Sequence, residues 1–235
     1  MHNLSKKNII IGNAVTRAAQ GFNLAEKRII FAGIAKLDGK STEVILTAEE
    51  YAKTFNLSLD LAYKQLKDNV ENLRKRYISY QIVDEKETIA KAAINWLQGY
   101  FYHNKEGYVS FRFSEYIFPY LFELQSHFTK YKLQQACALR SIHSWRLLEL
   151  FEQQKQINKD GYRWLKISID DFNHAMEAPE SYQKNFKNLR VKIIEPAIKE
   201  LSEKDNWIIE WKAIKNGRKV VILEFTFSHH PENFL

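Results

Sequence analysis

The sequence predicts an α+β protein in which one unit, a helix-turn-helix closed by a β-hairpin, occurs twice. Three observations carry this. "LTAEEYAKTF" (46–55) matches "ISIDDFNHAM" (167–176). Each match is followed by a basic amphipathic helix pattern. Each of those is followed by β-rich runs with turn residues between them. A repeated order of whole elements is a stronger signal than any single element.

Both copies begin with a helix, "NLAEKRIIFAGIAKL" (23–37) and "SIHSWRLLELFEQQKQ" (141–156). In the second, Trp145, Leu148 and Phe151 recur at helical spacing. Superposing Leu46 on Ile167 places Thr47 on Ser168, Glu49 on Asp170, Glu50 on Asp171, Tyr51 on Phe172 and Phe55 on Met176. Each segment reads as a short strand running into a helix. Thr47 and Ser168 are the expected N-caps, since a hydroxyl accepts a hydrogen bond from the free N–H groups of the first turn. The acids that follow suit the positive end of the helix dipole.

The second helices are "LDLAYKQLKDNVENLRKR" (59–76), followed by the β-rich "YISYQIV", and "SYQKNFKNLRVKIIEPAIKEL" (181–201), followed by "WIIEWKAIKNGRKVVILEFTF". Each half therefore reads helix, short strand, helix, helix, hairpin: two tandem winged-helix domains. Asn216-Gly217 suits a type I′ turn, and Val221, Leu223, Phe225 and Phe227 share one strand face. In the first half "AAINWLQGYFYHNKEGYVSFRF" predicts a second hairpin turning at Asn104–Gly107. "SEYIFPYLFEL" (114–124) then returns to helix, with a kink or break at Pro119. The joint is expected near 125–135. This gives an N-terminal domain over 1–125 and a C-terminal domain over 126–235.

Bulk properties narrow the function. The 235 residues carry a net charge of +7, with 17 basic and 14 acidic groups in residues 1–125 and 18 and 14 in the rest. The excess is shared, so clustering says more than the total. No apolar run reaches the roughly 18 residues of a membrane span. The three isoleucines near the N-terminus are too few for a signal-peptide core. A single Cys137 excludes an internal disulfide and suits a reducing cytosol.

The clustering lies in 181–201. On a helix, Phe186, Leu189, Ile193 and Ala197 form an apolar stripe. Lys184, Asn188, Val191 and Lys192 fall opposite, and Asn185, Lys187 and Arg190 on the flanks. Arg and Lys donate to guanine edges, and Asn pairs with adenine, so this face suits a DNA major groove. Pro196 is expected to kink or end the helix. A hairpin tip with Lys215, Arg218 and Lys219 could reach phosphates or the minor groove. In helix 59–76, Lys64, Lys67, Arg74, Lys75 and Arg76 are offset by Asp60, Asp68 and Glu71. There, DNA contact and a solvated or partner-facing helix are equally open.

Three segments carry a family resemblance: "NAVTRAAQGFNLAEKRIIFAGIAKL", "FTKYKLQQACALRSIHSWRLLELFEQ" and "FKNLRVKIIEPAIKEL…GRKVVILEF". With these the chain resembles the RepB-type initiators, the iteron-binding replication initiators of theta-replicating bacterial plasmids. The resemblance implies two winged-helix domains that bind directly repeated double-stranded DNA sites at a plasmid origin. It implies that the C-terminal domain dominates major-groove reading, while the N-terminal domain touches DNA and supplies a homodimer interface. It further implies origin opening, recruitment of the host initiator and replicative helicase, repression of its own gene, and a bacterial cytoplasmic location. The chain is short for that family.

Enzyme readings find little in the residues. There is no His-x-His strand for a rolling-circle nickase and no P-loop pattern. His229 and His230 are adjacent, so on a strand they face opposite ways. No catalytic residue, cofactor or metal is expected, and Cys137 reads as a small apolar residue. The competing function is a transcriptional repressor of the same architecture without a role in initiation. The aromatic run Trp96 to Phe122 is either a β-rich core or an interface.

Overall fold

The computed structural model describes residues 3–39, 41–83, 89–103, 106–122 and 127–229. It divides into two units, Met1–Cys137 and Ala138–Leu235. In the first, strand β1 (Asn8–Gly12) leads through a short helix α1 (Asn13–Arg17) to α2 (Leu24–Lys36). A capping box starts α2: Asn23 Oδ1 accepts from the Glu26 N–H and Glu26 Oε2 accepts from the Asn23 N–H, both at 2.9 Å. Strand β2 (Glu43–Thr47) runs into α3 (Ala48–Phe55). The Thr47 hydroxyl accepts from the Glu50 N–H at 3.1 Å, the predicted cap. Helix α3 ends at Asn56, in the left-handed region at φ +51°, and α4 (Leu59–Leu73) follows. Then come the hairpin β3 (Tyr77–Val83) and β4 (Ile89–Asn95), the strands β5 (Leu97–His103) and β6 (Tyr108–Phe113), strand β7 (Phe128–Lys132) and helix α5 (Leu133–Cys137).

The second unit is shorter. Helix α6 (Ile142–Glu152) precedes β8 (Arg163–Ser168) and α7 (Ile169–Ala175), with Ser168 Oγ accepting from the Asp171 N–H at 3.0 Å. After α8 (Glu180–Gln183) and α9 (Phe186–Leu189), a π turn over Arg190–Ile194 joins α10 (Glu195–Asp205). The wing is β9 (Trp207–Asn216) and β10 (Lys219–His229).

The repeat is real at the level of topology. The sheets are β2-β6-β5 and β8-β10-β9, so in both the first strand pairs with the last. Each unit is thus a winged helix. In the second unit Phe151 stacks on Phe227 with ring centroids 4.0 Å apart, beside Trp207, Phe172 and Phe225. In the first unit Gly33 lets α2 approach the wing strand, since a Cβ there would lie 2.7 Å from the Phe111 ring.

Several expectations need correcting. The joint lies later than 125, because Phe128–Lys132 pairs with Asn8–Gly12 and belongs to the first unit. "YISYQIV" is not wing but half of an inserted hairpin; β5 and β6 are the wing. Segment 114–124 is not a helix among the described residues but one 3-10 turn, Phe118–Tyr120, around Pro119, which lacks an N–H to continue a helix. The wing turn centres on Gly217-Arg218, flanked by the pair Asn216 and Lys219, rather than on Asn216-Gly217. Of these turn residues only Gly217 has positive φ, at +60°, which fits type II′ and not type I′. Val221 falls at a register shift between Val220 and Ile222, while Leu223, Phe225 and Phe227 are buried as expected. Asn104 and Lys105 lie outside the described residues, as does His230.

Candidate nucleic-acid interface

A further correction concerns the basic helix itself. It is not continuous from 181. The turn after α7 bends at Glu177, with φ +50°, and α8 stops at Lys184. Asn185 is extended and caps α9, its Oδ1 accepting from the N–H groups of Lys187 and Asn188 at 3.1 and 3.4 Å. That carbonyl is therefore used by the fold. The helix then runs from Phe186 to Asp205 without stopping at Pro196. Pro196 has no N–H, and its ring would crowd the Lys192 carbonyl in a regular α-helix. The chain widens to a π turn there, with the Glu195 N–H donating to the Arg190 carbonyl.

The apolar stripe stands. Leu189, Ile193 and Ala197 are buried, Ile194 and Leu201 join them, and Phe186 is half-buried beside the Trp211 ring. On the outer side Lys184, Asn185, Lys187, Arg190 and Lys192 are exposed and Asn188 is half-buried. Lys184 pairs with Glu180, and Arg190 Nε lies 3.4 Å from Glu195 Oε1. Both are exposed pairs, which stabilise by at most about 1 kcal/mol and can open toward a stronger partner. Among the described residues no acid pairs with Lys187 or Lys192. Val191, 41% exposed, sits among these cations.

At the wing tip Lys215, Arg218 and Lys219 are all exposed. Further down the wing the charge is partly offset, since Lys212 and Lys166 lie 2.9 and 3.3 Å from Glu224. Those lysines hold the Glu224 carboxyl below its ordinary range. The cations that the sequence singles out in this unit thus lie exposed on the α9 face and at the tip.

Helix α4 is different. Lys64, Lys67 and Arg74 are exposed, but so are Asp60, Asp68 and Glu71. Leu59, Leu61 and Tyr63 are also about 40% exposed, and Tyr63 covers the wing turn at Gly107. Arg76, which follows, donates to both oxygens of Glu26 at 3.0 and 2.9 Å and belongs to the fold. Burial pushes the Cys137 thiol up to about 12, out of the range of a reactive nucleophile. Among the described residues no group of three His, Cys, Asp or Glu side chains is placed to hold a metal, and no helix is long and apolar enough to cross a membrane.

Two helix-turn-helix units, each closed by a hairpin wing and one carrying an exposed cationic helix face, define a tandem winged-helix protein. Residues 8–152 match the family described as initiator replication protein, WH1, and residues 168–227 match initiator Rep protein, WH2. The chain belongs to this family of replication initiators. It is 26% identical over 227 residues to an uncharacterised 27.6 kDa protein of Escherichia coli, covering 88% of this chain and 89% of that one. It is 24% identical over 243 residues to the PI protein of Escherichia coli, covering 90% of this chain and 79% of that one. Its fold is similar to the crystal structure of Pi initiator protein in complex with iteron DNA, with TM-score 0.81, 23% identity and coverage of 96% and 98%.

Proposed function

We propose that this plasmid replication initiator binds directly repeated duplex sites at its origin, with the second unit as the main reader and the first as an auxiliary contact. The observation that supports this best is the α9 face, where Lys187, Asn188, Arg190 and Lys192 surround an apolar residue, in a unit whose wing tip is also cationic. The Pi relative's structure with iteron DNA supports the same ligand. A repressor with no role in initiation is not favoured, given the family. On this reading the protein helps to open the origin, works with the host initiator and replicative helicase, represses its own gene, and acts in the bacterial cytoplasm.

The homodimer belongs to the same reading. Trp96, Phe111 and Phe113 fill the core of the first unit, but Phe101 and Tyr116 are 69% and 78% exposed. Phe101, Ser110 and Ile45 form one row across the β2-β6-β5 sheet, with Ile45 also half exposed. An exposed aromatic and aliphatic pair on a sheet face supports an interface.

The test is fluorescence anisotropy with a duplex of the proposed origin repeat and with a scrambled duplex. Arg190→Ala or Lys187→Ala should weaken repeat binding by about 1–3 kcal/mol and leave scrambled binding nearly unchanged, as base contacts do. Lys219→Ala should weaken both alike and lower the salt slope by about one unit. Equal small effects at all three positions would remove the reading-helix assignment.

A further inference from the structure

We infer that the β1–β7 ribbon is a second duplex contact, a sequence-independent seat for backbone phosphates outside both wings and both second helices. The inference rests on the reading of this protein as a duplex binder. Its basis is a pairing that joins two chain segments far apart in sequence. Residues 1–25 contain no Asp or Glu, and neither do residues 124–148. The fold takes one strand from each and pairs them antiparallel, with Asn8 opposite Lys132 and Ile10 opposite Lys130.

The ribbon has two unlike faces. Ile9, Ile11, Thr129 and Tyr131 are buried, so that face is committed to the core. Alternation sends Asn8, Lys130 and Lys132 to the other side, where all three are exposed. Lys6 and Lys7, at the end of a 3-10 turn (Leu4–Lys6) that precedes β1, are exposed as well. Among the described residues none of these four lysines has an acidic partner. That sets them apart from Lys36, Lys166, Lys184, Lys199 and Lys212, each of which sits beside a glutamate.

The residue type selects the ligand. Lysine is a flexible, strongly hydrated point charge without the planar fork that reads a base edge. Four of them with no acid among them suit phosphates, which carry position but no sequence. Lys130 and Lys132 stand roughly 7 Å apart along one strand, so adjacent phosphates can be met together. Neutralising those phosphates releases condensed counterions and raises affinity for any duplex.

The experiment compares full-length Lys130→Ala/Lys132→Ala with a charge-matched control, Lys159→Ala/Lys204→Ala, both of whose residues are exposed in the second unit. Folding is checked by circular dichroism and thermal midpoint, and both ribbon residues are solvent-facing, so the fold should hold. Anisotropy is measured from low to moderate salt on the origin-repeat duplex and on a scrambled duplex. The ribbon variant should bind both more weakly by the same factor. Its plot of log affinity against log salt should be shallower by roughly 0.9 for each phosphate that is no longer neutralised. Lys130→Glu/Lys132→Glu should deepen the loss of affinity. An unchanged slope, or a change equal to the control's, would overturn the inference. So would a loss confined to the repeat duplex, which would mean base reading. If the wild type shows no preference for the repeats while the ribbon variant still weakens both duplexes, the proposed function fails and the ribbon assignment stands.

Discussion

At the residue scale, Val191 is the position whose meaning changes most once the helix is seen in three dimensions. An isolated exposed valine is ordinary. Here it is 41% exposed on the face formed by Lys187, Asn188 and Lys192, and it is the nonpolar group on that face that could meet a thymine methyl. On the proposed reading, Val191→Ala should weaken repeat binding by about 1 kcal/mol. Replacing one thymine of the site by uracil, which removes that methyl, should produce the same loss in wild type and none in the variant. Additive losses would count against the contact. A second prediction concerns His143, near the turn after α7. Burial lowers its value from the ordinary 6.5, while the Met176 backbone and Glu177 oppose that and Arg146 adds to it. The folded state therefore holds fewer protons than the unfolded state once pH falls below about 6.5. Stability should be greatest above that pH and fall as pH drops toward the lowered folded value. The thermal midpoint of His143→Gln should fall less between pH 7.5 and 5.5 than that of wild type; equal falls would show that His143 is not the cause. Residue types are legible in the sequence, and so is the stripe of Leu189, Ile193 and Ala197. The roles of Asn185 and Arg76 are not. Each is taken up by a bond that helical periodicity cannot show: a cap in one case, an ion pair to Glu26 fifty positions away in the other.

At the element scale, both helix-turn-helix units depend on how the first helix grips the second. In the second unit Arg146 does this: its Nε donates to the Ala175 carbonyl at 2.8 Å, and its Nη1 to Glu149 Oε2 at 2.7 Å, both side chains buried. Removing one member of a buried pair leaves the other charge uncompensated. Glu149→Ala should therefore destabilise by about 3–5 kcal/mol, seen as a lower urea midpoint at unchanged slope, whereas Ser168→Ala, which removes only a cap, should cost about 1 kcal/mol. A Glu149 variant no worse than the cap variant would mean that the pair is not a clamp. The caps are legible because they are local: Ser168 and Thr47 each precede acids at fixed offsets. The β1–β7 ribbon and the inserted β3–β4 hairpin are not, because strand pairing over more than a hundred residues, or between short runs of mixed polarity, leaves no periodic trace. The joint between the units escapes sequence reading for the same reason. A strand looks alike whether it opens one unit or closes another, and only its partner decides.

At the scale of the whole molecule, the repeat bears on how many grooves the chain can occupy. Two winged helices on one chain should protect two successive major grooves of a single direct repeat, about 10–10.5 base pairs apart. The second helices of the two units are not equivalent in charge: the outer face of α9 and the π turn carries Lys187, Arg190 and Lys192, whereas α4 sets Lys64 and Lys67 against Asp60, Asp68 and Glu71 and exposes Leu59, Leu61 and Tyr63. Protection over the second unit's groove should therefore persist at salt concentrations that erase the first unit's. Symmetry adds a constraint. A two-fold dimer matches an inverted repeat, while a direct repeat has no two-fold axis and should take a single chain. If the exposed row of Ile45 and Phe101 is the dimer surface, Phe101→Asp should give a monomer in sedimentation without weakening binding to one direct repeat, and should abolish cooperative binding to the inverted repeat. Hydroxyl-radical footprinting on both duplexes, with sedimentation of each complex, reads all of this in one set of samples. A single protected turn would mean that only one unit engages DNA, and a wild-type dimer seated on one direct repeat would break the link between dimer and inverted repeat.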